Sequence, residues 1–255
     1  MIPVPEKRDL QNNSGATLLE MLGIIAVVAL IAMLILPYFA RGCRNYPRIN
    51  CVNNLRNIGL GFNTFAAEFA GAYPWQVEED LGGIALPPPG AEATASNNVF
   101  AFFACISNEL ATPKIIHCVS DQRPRPVANT FAFGLSLGAE SAKIPSYFLG
   151  VEKSPSTPDS IIAGDRNLLI RSVGLDDNTS ANYNRITVVS TPEIQSHSSQ
   201  SFGWSTNLHQ SKGNLLFGDG RVEQVNTRHR TRRVLLEATR SGTNNLHLFF
   251  PSVSN

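Results

Sequence analysis

Residues 15–42, GATLLEMLGIIAVVALIAMLILPYFARG, decide how this chain is organised. Positions 21–40 within the stretch form a run of 20 residues without a charge. An α-helix rises about 1.5 Å per residue, so such a run spans the roughly 30 Å hydrocarbon core of a bilayer. Leu, Ile, Val, Ala and Met dominate the run, which favours insertion. The sequence therefore predicts a transmembrane helix with one carboxylate, Glu20, at its entrance, where a charge is costly.

Other interpretations of the apolar run compete with an anchor. A buried core helix rarely has 20 uncharged residues at a chain start. A cleaved secretory signal needs a shorter apolar region and a small-residue cleavage site, whereas this run ends in PYFA. A lipoprotein would acylate Cys43, but Arg41 stands two residues before that cysteine. The charge bias gives no help, because Arg41, Arg44 and Arg48 follow the run and by themselves would keep the body on the cytoplasmic side.

Downstream of the run, an apolar stripe continues with helical spacing. Its positions are separated by 4, 3, 4, 3 and 4 residues, which places them on one face of a helix. Gly59 and Gly61 weaken that helix by roughly 1 kcal/mol each relative to alanine. We therefore expect it to lie on a sheet. Pro47 is expected to kink or interrupt the N-terminal helix before this stripe begins. The stripe consists of Cys51, Leu55, Ile58, Phe62, Phe65 and Phe69.

The remaining two thirds of the chain alternates short apolar runs with turn signals. Asn97 or Asn98 is predicted to cap a helix that runs to about residue 110. Two hairpins are predicted, one around Gly164-Asp165-Arg166-Asn167 and one around Gly218-Asp219-Gly220. Strands are predicted at 114–121 and 185–190, and a last helix at 231–239. The pattern indicates an α+β body with a mainly antiparallel sheet.

Charge and cysteine content exclude some classes of function. The net charge is +1 and 16% of the residues are charged, so no nucleic-acid footprint is expected. The basic cluster 228–233, RHRTRR, is local and indicates a solvated helix start. Four cysteines without a CxxC pair make a zinc site improbable. They allow three disulfide connectivities; Cys105 with Cys118 is the favoured candidate, because the two flank a predicted helix-to-strand turn.

The polar leader and the first residues of the apolar run resemble a known processing signal. A leader that ends at Gly15, then Ala16, Thr17, Leu18, Leu19 and Glu20, then the apolar helix, is similar to the prepilin signal of type IV pilins and type II secretion pseudopilins. Counted from Ala16, Glu20 is the fifth residue and Pro37 the twenty-second, as is common in that family. The chain departs from the family at Ala16, where phenylalanine is usual.

This resemblance implies roles for particular residues. Cleavage would follow Gly15 and create a new ammonium group on Ala16. Glu20 would pair with that ammonium of a neighbouring subunit, which offsets desolvation and sets the axial register. The N-terminal end of the helix dipole also favours the carboxylate. Pro37 would kink the helix.

Three further segments sharpen the resemblance. INCVNNLRNIGLGFNTFAAEFAGAYPW (49–75), TPKIIHCVSD (112–121, with Cys-x-Ser-Asp) and HQSKGNLLFGDG (209–220) are similar to segments of large pilin-like proteins of planctomycetes and verrucomicrobia. The last segment carries the H-x9-DG motif of those proteins, with His209, Asp219 and Gly220.

Enzymatic chemistry is not predicted. Candidate polar residues are His117, His197, His209, Asp165 and Asp219, but no GxSxG, HExxH, P-loop or Rossmann glycine pattern is present. His209 is expected to pack and hydrogen-bond at the second hairpin, and Asp219 to be a turn residue. Asp176, Asp177 and Asn178 are weak calcium candidates by analogy with major pseudopilins, without an EF-hand pattern. No cofactor is expected.

Together these observations predict a membrane-anchored, prepilin-like structural subunit of a type IV pilus or type II secretion filament. The predicted segments are a leader (1–15), a transmembrane helix (16–40), its amphipathic continuation (41–72) and an extracytoplasmic α+β domain (73–255). Expected partners are a prepilin peptidase, other pilin-like subunits, an assembly platform in the inner membrane, and the lipid bilayer. The alternatives are a tethered surface or binding protein that uses the signal only for export, and an anchored hydrolase.

Overall fold

The structure is a computed structural model that describes residues 17–42, 46–151, 157–175, 184–241 and 244–252. The chain divides into two compact units, Met1–Tyr46 and Pro47–Asn255. The predicted cleavage residues Gly15 and Ala16, the lipoprotein candidate Cys43 and the calcium candidates at 176–178 lie outside the described residues.

The first unit contains one helix, α1 (Leu18–Gly42), among its described residues. Thr17 caps it, because its Oγ1 accepts a hydrogen bond from the backbone N–H of Glu20 at 3.3 Å. Glu20 lies in the first turn. The window Leu18–Ile35 has a mean hydropathy of 2.8 and none of it is buried, so by length and composition it can be a membrane span or a signal sequence. The helical backbone continues through Pro37 to Gly42.

The second unit is built on antiparallel sheet. Its described strands are β1 (Tyr147–Gly150), β2 (Ile161–Asp165), β3 (Leu168–Ile170), β4 (Ile186–Ser190), β5 (Phe202–Trp204), β6 (Gly213–Phe217), β7 (Val222–Val225) and β8 (Asn245–Phe249). Among the described residues, six of them form one sheet in the order β4-β8-β1-β2-β6-β7, and β3 pairs with β5 in a second, two-stranded sheet. All these pairs are antiparallel. The unit is therefore a mixed α and β fold, as expected from the sequence.

The described helices of this unit cover both faces of the larger sheet. They are α2 (Tyr46–Glu68), α3 (Val99–Cys105), α4 (Ser107–Leu110), α5 (Phe131–Ser136), α6 (Thr191–Ser196) and α7 (Arg228–Ser241). Asn98 caps α3, since its side chain accepts hydrogen bonds from the backbone N–H groups of Phe100 and Ala101. This confirms the predicted cap.

Helix α2 lies on one face of the sheet, as its sequence stripe predicts. Cys51, Leu55, Ile58, Phe62 and Phe65 are buried in a core that also contains residues of β1, β2, β6 and β8. A Cβ at Gly59 would meet Leu216 Cδ1 of β6 at 2.8 Å, so this glycine permits the close approach of helix and sheet. The buried face of α2 thus belongs to the core of the second unit.

The opposite face of the sheet is buried under α7 and the β3-β5 pair. Successive residues of one strand go to different cores: Leu149 of β1 packs with α2, and its neighbour Phe148 packs in the second core with Trp204 and Leu235. This alternation follows from the period of two in a strand. Because both faces are covered, the central strands β1 (YFLG) and β2 (IIAGD) are buried along their whole length, whereas the edge strand β7 (VEQV) is mostly not.

Two local predictions are wrong. Residues 114–121 are not a strand, because Thr112 caps a short 3₁₀ helix, Pro113–Ile116, whose first residue is proline. The runs around Gly164–Asn167 are not a hairpin, because β2 pairs with β1 and β6 whereas β3 pairs with β5. The other predicted hairpin is confirmed as β6–β7, with Gly220 at a φ of 83° in its turn.

Candidate functional site

The three segments that carry the resemblance meet at one buried place in the second unit. Cys51 lies in α2, Cys118 follows the 3₁₀ helix Pro113–Ile116, and His209 lies in the loop 205–212 between β5 and β6. Their sulfur and ring nitrogen atoms all lie within 4.8 Å of one another. Both cysteines are fully buried, and the side chain of His209 is 1% exposed. We call these three residues the thiol–imidazole cluster.

Asp165, the last residue of β2, adjoins the cluster. His209 Nε2 lies 3.4 Å from Cys118 Sγ and 3.5 Å from Asp165 Oδ2. Asp165 Oδ2 also accepts hydrogen bonds from the backbone N–H and the side-chain amide of Asn214, both at 2.8 Å. Asp165 Oδ1 is buried without a hydrogen-bond partner. The carboxylate is therefore held firmly through one oxygen and keeps a second oxygen unused.

Burial and close neighbours together shift the pKa of each of these groups. It raises the pKa of Asp165 to about 6, although His209, Asn214 and Arg48 act in the opposite direction. Burial alone would lower the pKa of His209, but Cys118 and Asp165 outweigh it and the pKa is raised. The pKa of the Cys118 thiol is raised well above its usual range, first by its hydrogen bond with Cys51 and then by burial. Without a cation in the cluster, Cys118 is therefore a thiol rather than a thiolate.

Asn167 shapes the loop that presents His209. Its side-chain amide lies within hydrogen-bond distance of the backbone carbonyl oxygens of Ser205, Leu208 and Lys212, at 2.9, 3.1 and 3.2 Å. Inside this loop, residues 209–211 have φ values of 48°, 55° and 62° although none is glycine. Each such residue costs of order 1 kcal/mol or more. The loop is therefore held in a strained conformation that directs the imidazole inwards.

An ion cluster positions the turn that carries Cys118. Asp121 accepts two hydrogen bonds from Arg166, from Nε and Nη2, each at 2.8 Å, and its Oδ2 lies 3.0 Å from Arg123 Nε. Its backbone N–H donates to the carbonyl of Cys118 at 2.9 Å. Burial would raise the pKa of Asp121, but Arg166 and Arg123 hold it well below its usual range. The Asp of the Cys-x-Ser-Asp segment is thus a structural anchor of the turn.

Residues 165–167 each serve a different part of the site. The side chains of Asp165, Arg166 and Asn167 are buried, whereas the sequence pattern predicted a hairpin turn there. Asp165 reaches the thiol–imidazole cluster, Arg166 bonds Asp121, and Asn167 bonds the loop 205–212. The sequence could not show that these three residues are buried. Gly, Asp, Arg and Asn are also the residue types of an exposed turn, so their composition does not distinguish a turn from a buried polar network.

Tyr147 and Asn54 close the cluster from the sheet and from α2. The amide of Asn54 donates to the carbonyl of His117 at 3.2 Å and lies 3.4 Å from the hydroxyl of Tyr147. Burial, followed by the neighbouring Cys51, raises the pKa of Tyr147 well above its usual range. Tyr147 therefore remains a neutral phenol, and it contributes no charge to the site.

The predicted disulfide between Cys105 and Cys118 is not present in the structure. Cys105 is a free, partly exposed thiol at the end of α3, with Sγ 3.8 Å from the carbonyl of Gly82. Cys118 is also a free thiol, and it contacts His209. The physical reason is that the segment after Cys105 is α4 and a 3₁₀ helix rather than a direct turn into a strand.

Asp219 and Gly220, the second half of the H-x9-DG motif, do not join the cluster. They form the turn between β6 and β7, where Asp219 accepts a hydrogen bond from the backbone N–H of Arg221 at 3.0 Å. Slight burial acts to raise the pKa of Asp219. Arg221, whose Nη1 lies 2.6 Å from Asp219 Oδ2, outweighs it and holds that pKa below its usual value. Asp219 is therefore a turn residue, as the sequence predicts.

The other enzyme candidates lie apart. His197 is exposed at the end of α6. His117 Nδ1 lies 3.1 Å from Ser146 Oγ, and Ser146 Oγ donates to Asp121 at 2.8 Å. The serine thus stands between the histidine and the aspartate, so the imidazole does not connect acid and nucleophile as in a hydrolase triad. Burial and then Arg125 lower the pKa of His117 to about 4.

Comparison of the chain with protein-family models, with curated proteins and with solved structures found no match.

Proposed function

We propose that this protein is a membrane-anchored, prepilin-like structural subunit of a type IV pilus or type II secretion filament, cleaved after Gly15. The observation that carries the proposal is the start of α1. Glu20 lies in the first turn of a helix whose window Leu18–Ile35 is apolar and unburied. A carboxylate at the head of a membrane span is costly unless it is paired.

The local structure of Glu20 supports a partner from another subunit. Its backbone N–H is already capped by Thr17, and its side chain is exposed. Among the described residues, no ion pair is formed by Glu20. The ammonium that cleavage would create on Ala16 of a neighbouring copy has the charge and the position along the helix to pair with it.

Exposed apolar side chains on the outer face of α2 also support the proposed contact between subunits. Ile49 and Leu60 are 52% and 67% exposed. They are 11 residues apart, which is about three helical turns, so they lie on one side of the helix. Exposed large apolar side chains on a helix opposite its own core are suited to contact with a neighbouring subunit.

Mass spectrometry of the mature N-terminus in membrane extracts tests the processing step. We expect the chain to begin at Ala16. Recovery of intact Met1, or of a start beyond Cys43, would contradict the proposal. A Gly15→Ala change, which removes the glycine expected before the cut, should leave the leader attached.

In-cell crosslinking tests the assembly step. Glu20→Ala should leave the chain in the membrane fraction but reduce crosslinks between copies about tenfold, as expected for the loss of about 1.4 kcal/mol of pairing. Glu68→Ala, at the exposed end of α2, is the matched control and should leave the crosslinks unchanged. If the mature wild type shows no contact with itself or with another pilin-like chain, a tethered surface protein becomes the better interpretation.

A further inference from the structure

The thiol–imidazole cluster has no part in the proposed anchoring or filament contacts. It places two sulfur atoms and one imidazole nitrogen, from three distant parts of the chain, within 4.8 Å of one another in the interior. Thiol and imidazole are the ligand types that zinc and similar cations prefer. Packing alone would favour aliphatic side chains at such a position, because buried polar groups need partners.

Two distances in the site match the edges of a zinc tetrahedron. With Zn–S of about 2.3 Å and Zn–N or Zn–O of about 2.0–2.2 Å, tetrahedral edges are about 3.4–3.8 Å long. The separation of Cys118 Sγ and His209 Nε2 is 3.4 Å, and that of His209 Nε2 and Asp165 Oδ2 is 3.5 Å. Cys51 Sγ lies within 4.8 Å of both other ligand atoms, so modest side-chain adjustments would bring the three atoms of the cluster around one zinc ion.

The charges also balance with a divalent cation. Two thiolates and the Asp165 carboxylate would bring three negative charges into the interior. Zinc and the guanidinium of Arg48 would bring three positive charges. Arg48 acts electrostatically on Asp165 and is fixed by Gly213 O at 3.2 Å and Asn214 Oδ1 at 3.4 Å. Asp165 Oδ1 is buried without a hydrogen-bond partner in the protein, so this carboxylate has an oxygen free to bind a cation.

A disulfide between Cys51 and Cys118 is the competing use of the two sulfurs. Both cysteines are free thiols in the structure. A disulfide would be neutral and would leave the buried carboxylate of Asp165 beside a sulfur pair that offers no positive charge. It would also give no reason for the strained backbone at residues 209–211, which directs His209 towards the sulfurs.

We propose that Cys51, Cys118 and His209 bind a zinc ion, and that the side chain of Asp165, beside His209, turns towards the ion as the fourth ligand. Because the ligand side chains are buried, the site is a closed, structural one rather than a catalytic one with an open position. The ion would join α2, the turn 118–121 and the loop 205–212, so it would link the three segments that resemble pilin-like proteins. This proposal is independent of the filament role.

Metal analysis of the full-length chain in detergent tests the site directly. After purification under reducing conditions with zinc supplied, followed by dialysis, we expect about one zinc per chain. Cys51→Ser, Cys118→Ser and His209→Gln should each abolish stoichiometric zinc. Because even the loss of an outer partner of a metal ligand costs about 10- to 100-fold in affinity, Asp165→Asn should weaken zinc binding by at least about tenfold. The matched controls Cys105→Ser and His197→Gln should retain zinc, because these residues lie outside the cluster.

Cobalt(II) added to the chelated wild type keeps the test valid if a variant fails to fold. Thiolate-to-cobalt charge-transfer bands together with visible bands of tetrahedral intensity are expected. Absence of both zinc and cobalt binding to the reduced wild type would overturn the proposal. So would a Cys51–Cys118 disulfide-linked peptide, found by mass spectrometry in chain taken from its own membranes with free thiols blocked before extraction.

Discussion

The side chains of Asp121 and Asp165 are both fully buried in the second unit, yet their surroundings are opposite. Asp121 accepts hydrogen bonds from two guanidinium groups and from Ser146, and its pKa lies well below its usual range despite burial. Asp165 is bonded through one oxygen only, and burial raises its pKa to about 6. Burial alone therefore does not decide whether a carboxylate in this protein is ionised. The positively charged groups in contact with it do.

The charges around Asp121 are balanced within the chain, whereas those around Asp165 are not. The cluster of Asp121 with Arg123 and Arg166 has its charges paired by the chain itself. The surroundings of Asp165 place a carboxylate, two thiols and an imidazole together with only the more distant Arg48 to balance them. This is why we assign a cation to the second place and none to the first.

Asp121→Asn should have the largest effect. It leaves Arg123 and Arg166 buried without their counter-charge, which typically costs 3–5 kcal/mol. Urea unfolding of the full chain in detergent, followed by the fluorescence of the buried Trp75 and Trp204, measures it. Asp159→Asn is the control, because its contact with Arg221 is exposed and is expected to change stability by less than about 1 kcal/mol.

The same variant has a pH signature. The pKa of Asp121 is lower in the folded than in the unfolded chain. Its ionised carboxylate therefore adds to the free energy of unfolding above the unfolded pKa of about 3.9, and this stabilisation is lost as the pH falls towards the folded pKa. The wild type should therefore lose stability below about pH 4, and Asp121→Asn should lose less over that interval. Equal acid slopes for the two proteins would show that Asp121 is not paired as described.

Asp165 should behave in the opposite way in the chelated protein. Its folded pKa of about 6 lies above the unfolded pKa. The stability that comes from the protonated carboxyl is therefore complete below about pH 4 and is lost as the pH rises through 6. The difference corresponds to about 2–3 kcal/mol. At pH 8 the chelated Asp165→Asn chain should be more stable than chelated wild type by up to that amount. Zinc should then stabilise the wild type more than the variant. If zinc does not stabilise the wild type, the surroundings of Asp165 do not bind a cation.

Asn167→Ala tests the loop that brings His209 to Asp165. Removing the amide takes away the shared donor of three carbonyl oxygens and should cost about 1–3 kcal/mol. Amide hydrogen exchange should accelerate in the loop 205–212, while the surroundings of Asp121 keep their protection. Asn207→Ala, exposed in the same loop, is the matched control. Equal exchange in the two variants would show that Asn167 does not hold the loop.

Gly220→Ala should have the smallest effect and tests the other half of the H-x9-DG motif. A φ of 83° strains any side chain, so a loss of about 1 kcal/mol is expected. Zinc stoichiometry should stay unchanged, because the β6–β7 turn lies outside the cluster. A loss of zinc together with a small loss of stability would show that the turn and His209 act as one unit.

Much of the architecture could be predicted because it depends on local periodicity. The α2 stripe, the Asn98 cap and the β6–β7 hairpin each follow from residue spacing or from a cap or turn residue. The errors occurred where a local pattern has two solutions. The apolar runs flanking residues 164–167 look like a hairpin, but strand partners are chosen by the whole sheet, and the intervening polar side chains are buried instead of exposed.

The apolar helix, its acidic first turn and the mixed α and β composition could all be read from the sequence alone, because hydropathy, helical period and capping act over a few residues. Only the tertiary structure decided that Cys51, Cys118 and His209 meet, and that Asp165 stands beside them while Asp121 is paired elsewhere. Those contacts join residues up to 158 positions apart in the numbering, from 51 to 209. Neither residue type nor spacing encodes such a contact, because it depends on which strands pair and on where the loops between them return.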